Sequence, residues 1–342
     1  MDNPSVLLMG DGRVLVADWE MPQPAPRQAL VRILAGAVST GTETTGIKQL
    51  SRSPEPQRQP WRMGYSDAGV VVAVGSDYRG PAVGTMVACY GGPYVGHSTY
   101  CAVGQHLLAA TTLPMEQAAF NGIGAVAVHG VRQAEVQLGQ RVGVVGLGVL
   151  GQFVAQFARA AGAFVLASDP LSSRRDIAKS LGADAVTSPD DFVQAAMDCT
   201  DGDGLDAVIV VAGTPDSSAP ARQALDTLRF RGRLQIVGNV RTEWDREPLF
   251  QKEAVVQVAR AAGPGRYAPE YELDGYDYPK GFVPWTEGRN VRTFVDFAEA
   301  GRIQVAPLIS KALPLDEAPA AYKALIDQPN DHLAIVLKFP PA

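Results

Sequence analysis

Apolar positions change their period along this chain, and each change marks a different kind of element. From Ser5 to about Val38, short apolar runs (Val6–Met9, Val14–Val16, Ala29–Leu34) alternate with Gly and Pro and predict strands. The proline-bearing stretches 22–26 and 54–60 suit neither a central strand nor a helix and read as loops. Runs at 70–76, 84–89 and 98–103 continue as strands joined by glycine turns, so the first third is a small, mostly β unit.

At Arg141 the pattern changes. The run Arg141–Val145 breaks into Gly146-Leu-Gly148-Val-Leu-Gly151 and passes directly into a helix with Leu150, Val154, Phe157 and Ala161 on one face, stopped at Gly162. A second run, Phe164–Ala167, ends in Ser168-Asp169. Further apolar runs at 185–187, 207–212, 233–237 and 255–258 alternate with helical stretches and predict a parallel sheet covered on both faces. The glycine spacing has a physical reading: one glycine for a tight turn, one for close approach of a pyrophosphate, and one for helix-on-strand packing, with the anion on the free N–H groups of the new helix. Gly146, Gly148, Val149, Leu150 and Gly151 are therefore the expected phosphate cradle of a dinucleotide. Gly213, Val237 and Gly238, just beyond strand ends, are expected to face the same cofactor. Asp169 is placed to accept both ribose hydroxyls, which favours NAD(H) over NADP(H). Arg174 and Arg175 could instead grip a 2′-phosphate or form a solvated helix start.

After Gly263 the chain is irregular and aromatic for about 27 residues, longer than an ordinary connection. Two helices follow, one with Val291, Phe294, Val295 and Ala298 on a face, the other starting near Asp316, whose side chain is expected to cap it. A last apolar run, Leu333–Lys338, suggests that the chain returns to its first unit. The expected division is 1–122, 123–262 and 263–342.

Composition narrows the function. With 46% hydrophobic and 19% charged residues the chain is an ordinary globular enzyme candidate, and a net charge of −6 leaves no cationic face for nucleic acid. A neutral or polyhydroxylated small molecule suits it better. Cys89, Cys101 and Cys199 show no CxxC spacing and read as reduced thiols, and no apolar run reaches about 18 residues, so a cytoplasmic protein without a membrane segment is expected.

Gly84-Thr-Met-Val, Gly146-Leu-Gly-Val-Leu-Gly, Ala178-Lys-Ser-Leu-Gly-Ala, Gly232-Arg-Leu and Ala321-Tyr-Lys-Ala-Leu together resemble the medium-chain dehydrogenase/reductase superfamily, the alcohol-dehydrogenase-like enzymes, over nearly the whole length. The resemblance implies an α/β architecture: a Rossmann doubly wound parallel sheet plus a GroES-like, mostly β catalytic domain, commonly as a homodimer. It also implies a catalytic zinc held by a Cys of C-G-[ST]-D, a His of G-H-E and a further ligand. This chain departs at each place: Ser39-Thr-Gly-Thr-Glu43 stands at the first motif and Gly64-Tyr-Ser66 at the second. His97, His106, His129 and His332 are too scattered to replace the missing ligands, so no metal is expected. The variant motifs are similar to a zinc-independent branch that includes bacteriochlorophyllide dehydrogenase and the dehydrogenase-like halves fused to sugar or inositol oxidoreductases.

Without a metal, a side chain must manage the reacting oxygen and its proton. Tyr65, at the former ligand position, is the first candidate; its alternative is a core tyrosine beside a strand. Glu43 and Thr42 follow, Glu43 either orienting Tyr65 or standing as a solvated loop acid. His97 either lines the cleft or is structural. Arg266, Tyr267, Trp285 and Arg289 suit a sugar ring or a carboxylated substrate, or else belong to a packing loop. The expected activity is interconversion of a secondary alcohol and a ketone on a polar ring compound. A zinc-free quinone or enoyl reductase and a non-catalytic dinucleotide-binding protein are the alternatives.

Overall fold

Ala29, Val31, Ile33, Ala35 and Ala37 are buried along the strand Gln28–Val38, while Leu30, Arg32 and Leu34 between them keep partial exposure. This is the period-two pattern of a sheet with two unequal faces. In the computed structural model, which describes residues 3–340, that strand is the spine of a seven-stranded sheet. Its order is Lys311–Pro314, Ile335–Lys338, Gln28–Val38, Ser66–Val74, Met86–Tyr90 and Leu108–Ala110, with Tyr100–Gly104 also paired to the spine. A three-stranded sheet, Val14–Asp18, Pro4–Leu8 and Trp61–Arg62, completes the β structure of this unit. Ile335–Lys338 pairs antiparallel with Ala35–Val38, so the last strand is stitched into the sheet of the first third.

By contact the chain divides into Met1–Ala125, Pro264–Ala300 and Val305–Ala342 on one side, and Val126–Gly263 with Gly301–Gln304 on the other. The second unit holds a six-stranded, wholly parallel sheet in the order Ala185–Thr187, Phe164–Ser168, Arg141–Val145, Leu205–Val210, Leu228–Ile236 and Val255–Val258. The chain starts on Arg141–Val145, winds outward through Phe164–Ser168 and Ala185–Thr187, and returns to Leu205–Val210 on the other side of its first strand. The reversal leaves a crevice at the strand carboxyl ends, the place where open α/β sheets bind ligands. The fold is thus a Rossmann-type parallel sheet with a separate, mostly β unit.

Two helices lie where the sequence pattern gave no helix. Thr42–Arg52 follows the spine strand directly and buries Glu43, Thr44, Ile47 and Leu50, a helical spacing. Asn121–Gln133 carries Gly122, Gly124 and Gly130, which weaken helix propensity. Packing explains two of them: a Cβ at Gly122 would lie 2.4 Å from Tyr90 Cδ2, and one at Gly124 would lie 1.9 Å from Phe294 Cδ2. Gly124→Ala is therefore expected to cost about 1–3 kcal/mol by overpacking. A lowered Tm in thermal unfolding checks this; an unchanged Tm would mean that Phe294 moves aside without cost.

The expected cap at Asp316 is corrected. Asp316 sits inside a 3₁₀ turn, Leu315–Glu317, and the helix Ala318–Asp327 begins after Glu317 with no side-chain cap. Pro319 occupies the second helical position and has no N–H to offer a capping oxygen. Among the described residues no helix is long and apolar enough to cross a membrane.

Candidate active site

In the second unit, the three glycines of the turn after Arg141–Val145 do three different jobs. Gly146 has φ +95°, and a Cβ there would lie 2.7 Å from Ala212 N, so only glycine makes this turn. A Cβ at Gly151 would come within 1.9 Å of Gly146 O, which is why the helix Val149–Ala160 can sit so close to its strand. At Gly148 a Cβ would meet nothing within 4 Å. The space in front of Gly148 is open, and the N–H groups of Val149, Leu150 and Gly151 belong to the first helical turn, which has no intrahelical acceptors to offer them. These residues fit a dinucleotide pyrophosphate.

Asp169, just after Phe164–Ser168, is 3% exposed. Its Oδ2 accepts the Leu147 N–H at 2.7 Å and its Oδ1 the Leu171 N–H at 2.9 Å, which aims the carboxylate at the glycine turn. Arg174 Nη1 lies 3.8 Å from Asp169 Oδ2, whereas Arg175 is spent on the carbonyls of Asp169 and Pro170. Beyond the neighbouring strands, Gly213 is open like Gly148, while a Cβ at Gly238 would meet Ala212 O and Val211 O at 2.4 Å. The Val237 side chain packs toward Gly130 in the second unit. Of that trio, then, Gly213 leaves space and the other two pack.

In the first unit, Ser39-Thr-Gly41 joins the spine strand to Thr42–Arg52, and Gly64, with φ +90°, swings the chain into Tyr65 and Ser66–Val74. The Tyr65 hydroxyl donates to Ser39 Oγ at 2.8 Å, and the ring meets Tyr90 edge-on with centroids 6.0 Å apart. Burial pushes the Tyr65 phenol up to about 12; the Ser39 and Thr42 hydroxyls and Arg266 oppose that rise, and Glu43 adds to it. Tyr65 is therefore a phenol, a proton donor, across neutral pH. Thr42 reaches this hydroxyl from an exposed position at the helix start.

Glu43 is not a solvated loop acid. It lies in the first turn of a helix, 8% exposed, and its Oε1 accepts the Ser39 N–H at 2.7 Å while its Oε2 accepts the Tyr322 hydroxyl at 2.5 Å. His97 does not line an open surface: it is fully buried, with Nδ1 2.7 Å from Asp67 Oδ1 and Nε2 3.6 Å from Glu43 Oε2. Burial would push the imidazole down, but Asp67 and Glu43 outweigh it and hold it up to about 10, so the ring is cationic at neutral pH. Burial raises Asp67 above the usual carboxylate range, and His97 opposes that rise.

Arg266 joins the Tyr65 group. It is 8% exposed, with Nη1 on Glu272 and Nη2 donating to Gly92 O at 2.6 Å, and its guanidinium lies 5.4 Å from the Tyr90 ring and 4.2 Å from the Tyr267 ring. Tyr267 is exposed, at φ +65°, a left-handed conformation that costs a non-glycine residue energy. Arg289 is tied within its own segment, to Val283 O, Asp277 and Tyr278 O, and Trp285 is exposed beside it in sequence. Of the four residues expected to grip a substrate, Arg266 and Tyr267 are thus gathered with Tyr65 and Tyr90, and Arg289 is committed to loop structure.

Sequence reasoning passed over Asp67, Tyr322, Glu272 and Glu287. Glu287 is fully buried at the start of Glu287–Glu299, and burial, then Glu272, push its carboxyl up to about 9 against the pull of Arg266. A carboxyl raised in the folded state loses stability for the fold as pH climbs from its unfolded value, about 4.3, toward the folded one. Glu287→Gln is neutral at every pH. It is expected to unfold at a higher temperature than the parent near pH 8–9, by at least about 2 °C, with the gap closing toward about pH 5. Calorimetry across that range checks it; a gap that does not grow with pH would mean that Glu287 is not the protonated member.

Where the resemblance expects a thiolate and an imidazole, this chain offers the hydroxyls of Ser39 and Thr40 and the phenol of Tyr65. Among the described residues no three His, Cys, Asp or Glu side chains are arranged so as to hold a metal ion. The nearby carboxylates are engaged, Glu43 by Ser39 N–H and the Tyr322 hydroxyl, Asp67 by His97. This donor set does not match the three or four N, S or carboxylate ligands that zinc takes.

Comparison with known proteins adds the family context. The "Zinc-binding dehydrogenase" family model matches residues 149–272. L-threonine 3-dehydrogenase of Pyrococcus furiosus is 29% identical over 65% of this chain and 72% of that protein. D-guloside 3-dehydrogenase of Escherichia coli (strain K12) is 27% identical over 87% of this chain and 89% of that protein. Among solved structures, an Escherichia coli oxidoreductase/dehydrogenase of unknown specificity superposes with a TM-score of 0.84 at 19% identity, covering 100% of both chains.

Proposed function

We propose that this chain, an oxidoreductase of the alcohol-dehydrogenase type that resembles the medium-chain dehydrogenase/reductase superfamily, interconverts a secondary alcohol and a ketone on a sugar- or cyclitol-like ring, using NAD(H) and no metal. The observation that carries the proposal is the hydroxyl cluster at the former ligand positions: Tyr65 donates to Ser39 beside the exposed Thr42. The relative of greatest coverage reported above, the D-guloside enzyme, supports a polyhydroxylated ring.

Gly146–Gly151 and Asp169 would hold a nicotinamide dinucleotide, which would supply or accept the hydride when bound. The remaining work belongs to side chains. In the reducing direction Tyr65 points its O–H at the carbonyl oxygen, stabilises the charge that grows there and passes its proton to that oxygen. Ser39 and Thr42 keep the phenol oriented, and Thr42, open to water, returns a proton to it. In the oxidising direction the same path runs in reverse, and the alcohol proton leaves through Tyr65. Arg266, beside Tyr65, favours the phenolate left behind. Asp169 supports NAD(H), because its carboxylate suits ribose hydroxyls and repels a 2′-phosphate.

The test is turnover on a panel of methyl D-gulosides, other methyl glycosides, myo-inositol and L-threonine with NAD⁺ and NADP⁺. Oxidation of ring alcohols with NAD⁺, unchanged after dialysis against 1,10-phenanthroline, is expected. Stoichiometric zinc whose removal abolishes activity would overturn the metal-free mechanism, and reduction of quinones or enones alone would move the chain to that class of reductase.

A further inference from the structure

The Asp67, His97 and Glu43 cluster lies behind the hydroxyls just described, and the chemistry above does not use it. We infer that His97 is the positioning residue of this site: clamped between Asp67 and Glu43, its imidazole holds the Glu43 carboxylate where it fixes the Ser39 backbone, and so the hydroxyl that Tyr65 meets. The inference rests on the reading of Tyr65 as proton donor.

Three hydrogen bonds and one longer ion-pair contact, between His97 and Glu43, form the series. Asp67 Oδ1 takes His97 Nδ1 at 2.7 Å, His97 Nε2 faces Glu43 Oε2 at 3.6 Å, Glu43 Oε1 takes the Ser39 N–H at 2.7 Å, and Ser39 Oγ takes the Tyr65 hydroxyl at 2.8 Å. Room for the ring is built into the backbone. A Cβ at Gly36 would lie 2.5 Å from His97 Nδ1, and one at Gly64, the residue before Tyr65, would lie 2.6 Å from His97 Cγ. Main-chain bonds pin the residue on both sides, His97 N–H to Met63 O and Val6 N–H to His97 O, each 2.8 Å.

Charge gives the series its direction. Two buried carboxylates with nothing between them would repel each other and seek water. Among the described residues His97 is the only cation within ion-pair reach of Glu43. The Tyr322 hydroxyl also holds Glu43 but carries no charge. With no exposed surface, His97 cannot touch a substrate, so it acts through Glu43 and not on the reacting atoms.

Two variants separate this role from simple packing. His97→Gln removes the cation; Asp67→Asn keeps shape and a hydrogen-bond acceptor but no longer supports an imidazolium, and it serves if the first variant does not fold. The first readout needs no substrate: in ¹⁵N-labelled protein the Ser39 amide proton is expected to move upfield and exchange faster in both variants. The second readout uses methyl D-guloside and NAD⁺. There kcat is expected to fall on the order of a hundredfold, the effect of an ångström-scale misplacement, with KM changed by less than about twofold. Adding His97→Gln to Glu43→Gln is expected to cost nothing further. An unmoved Ser39 amide, or losses that add, would overturn the assignment. Should the wild type oxidise no ring alcohol, the dehydrogenase chemistry at Tyr65 fails instead, and the Ser39 amide still decides whether His97 positions it.

Discussion

Replacing Tyr65 by Phe is expected to lower kcat by about 10²- to 10⁴-fold, the range that a positioned proton donor contributes, with KM nearly unchanged. The substitution deletes one oxygen. The ring and its edge contact with Tyr90 stay, and the fold loses only the bond to Ser39 Oγ, about 1 kcal/mol at most. The kinetic loss corresponds to about 3–5 kcal/mol of transition-state stabilisation, so the two effects cannot be confused. Steady-state kinetics beside a thermal melt decide the matter. A Phe variant with parental kcat would place the proton elsewhere, and Thr42 would be the next residue to change. Burial and Glu43 hold the Tyr65 proton in place at neutral pH, so the reducing direction is expected to be nearly flat with pH up to the alkaline limit of the fold, whereas the oxidising direction climbs with pH.

How far each part of the molecule was readable from sequence depended on the range of the forces that fix it. The strand–turn–helix at Arg141–Ala160 and the acid at Asp169 were legible because local sterics dictate glycine at Gly146 and Gly151, and because strands buried on both faces must be apolar throughout. Tyr65 was singled out by position alone; that its hydroxyl meets Ser39 is a contact across 26 residues. The helix Asn121–Gln133 was hidden because its glycines answer to side chains far away, Tyr90 and Phe294, and not to helix propensity. Thr42–Arg52 was hidden differently: Glu43, Ile47 and Leu50 carry the helical spacing, but in a region dominated by strands and prolines. Asp67, and with it what His97 does, could be recognised only in space. A polar residue on a strand reads as an outward-facing position, and nothing local announces that Gly36 and Gly64 leave a cavity for an imidazole between two acids.

The contrast among the glycines allows the cofactor assignment to be tested without disturbing the fold. Gly148 has φ −62° and ψ 177°, a conformation open to any residue, and a Cβ there meets nothing within 4 Å. Gly148→Val is therefore expected to fold like the parent, with Tm within about 4 °C, the size of a modest change at a helix N-cap. Its isopropyl group fills the space in front of the Val149, Leu150 and Gly151 N–H groups, where the phosphates must come. Losing two bonds to charged oxygens costs about 3–6 kcal/mol, so the Kd for NADH is expected to rise by at least about a hundredfold. Gly151→Val is the complement: its Cβ collides with Gly146 O at 1.9 Å, so it is expected to lower Tm as well as affinity. Fluorescence titration with NADH, run beside melting curves for both variants, separates the two. If Gly148→Val binds NADH as the parent does, the phosphates do not lie on this turn, and the dinucleotide site must be sought elsewhere on the sheet.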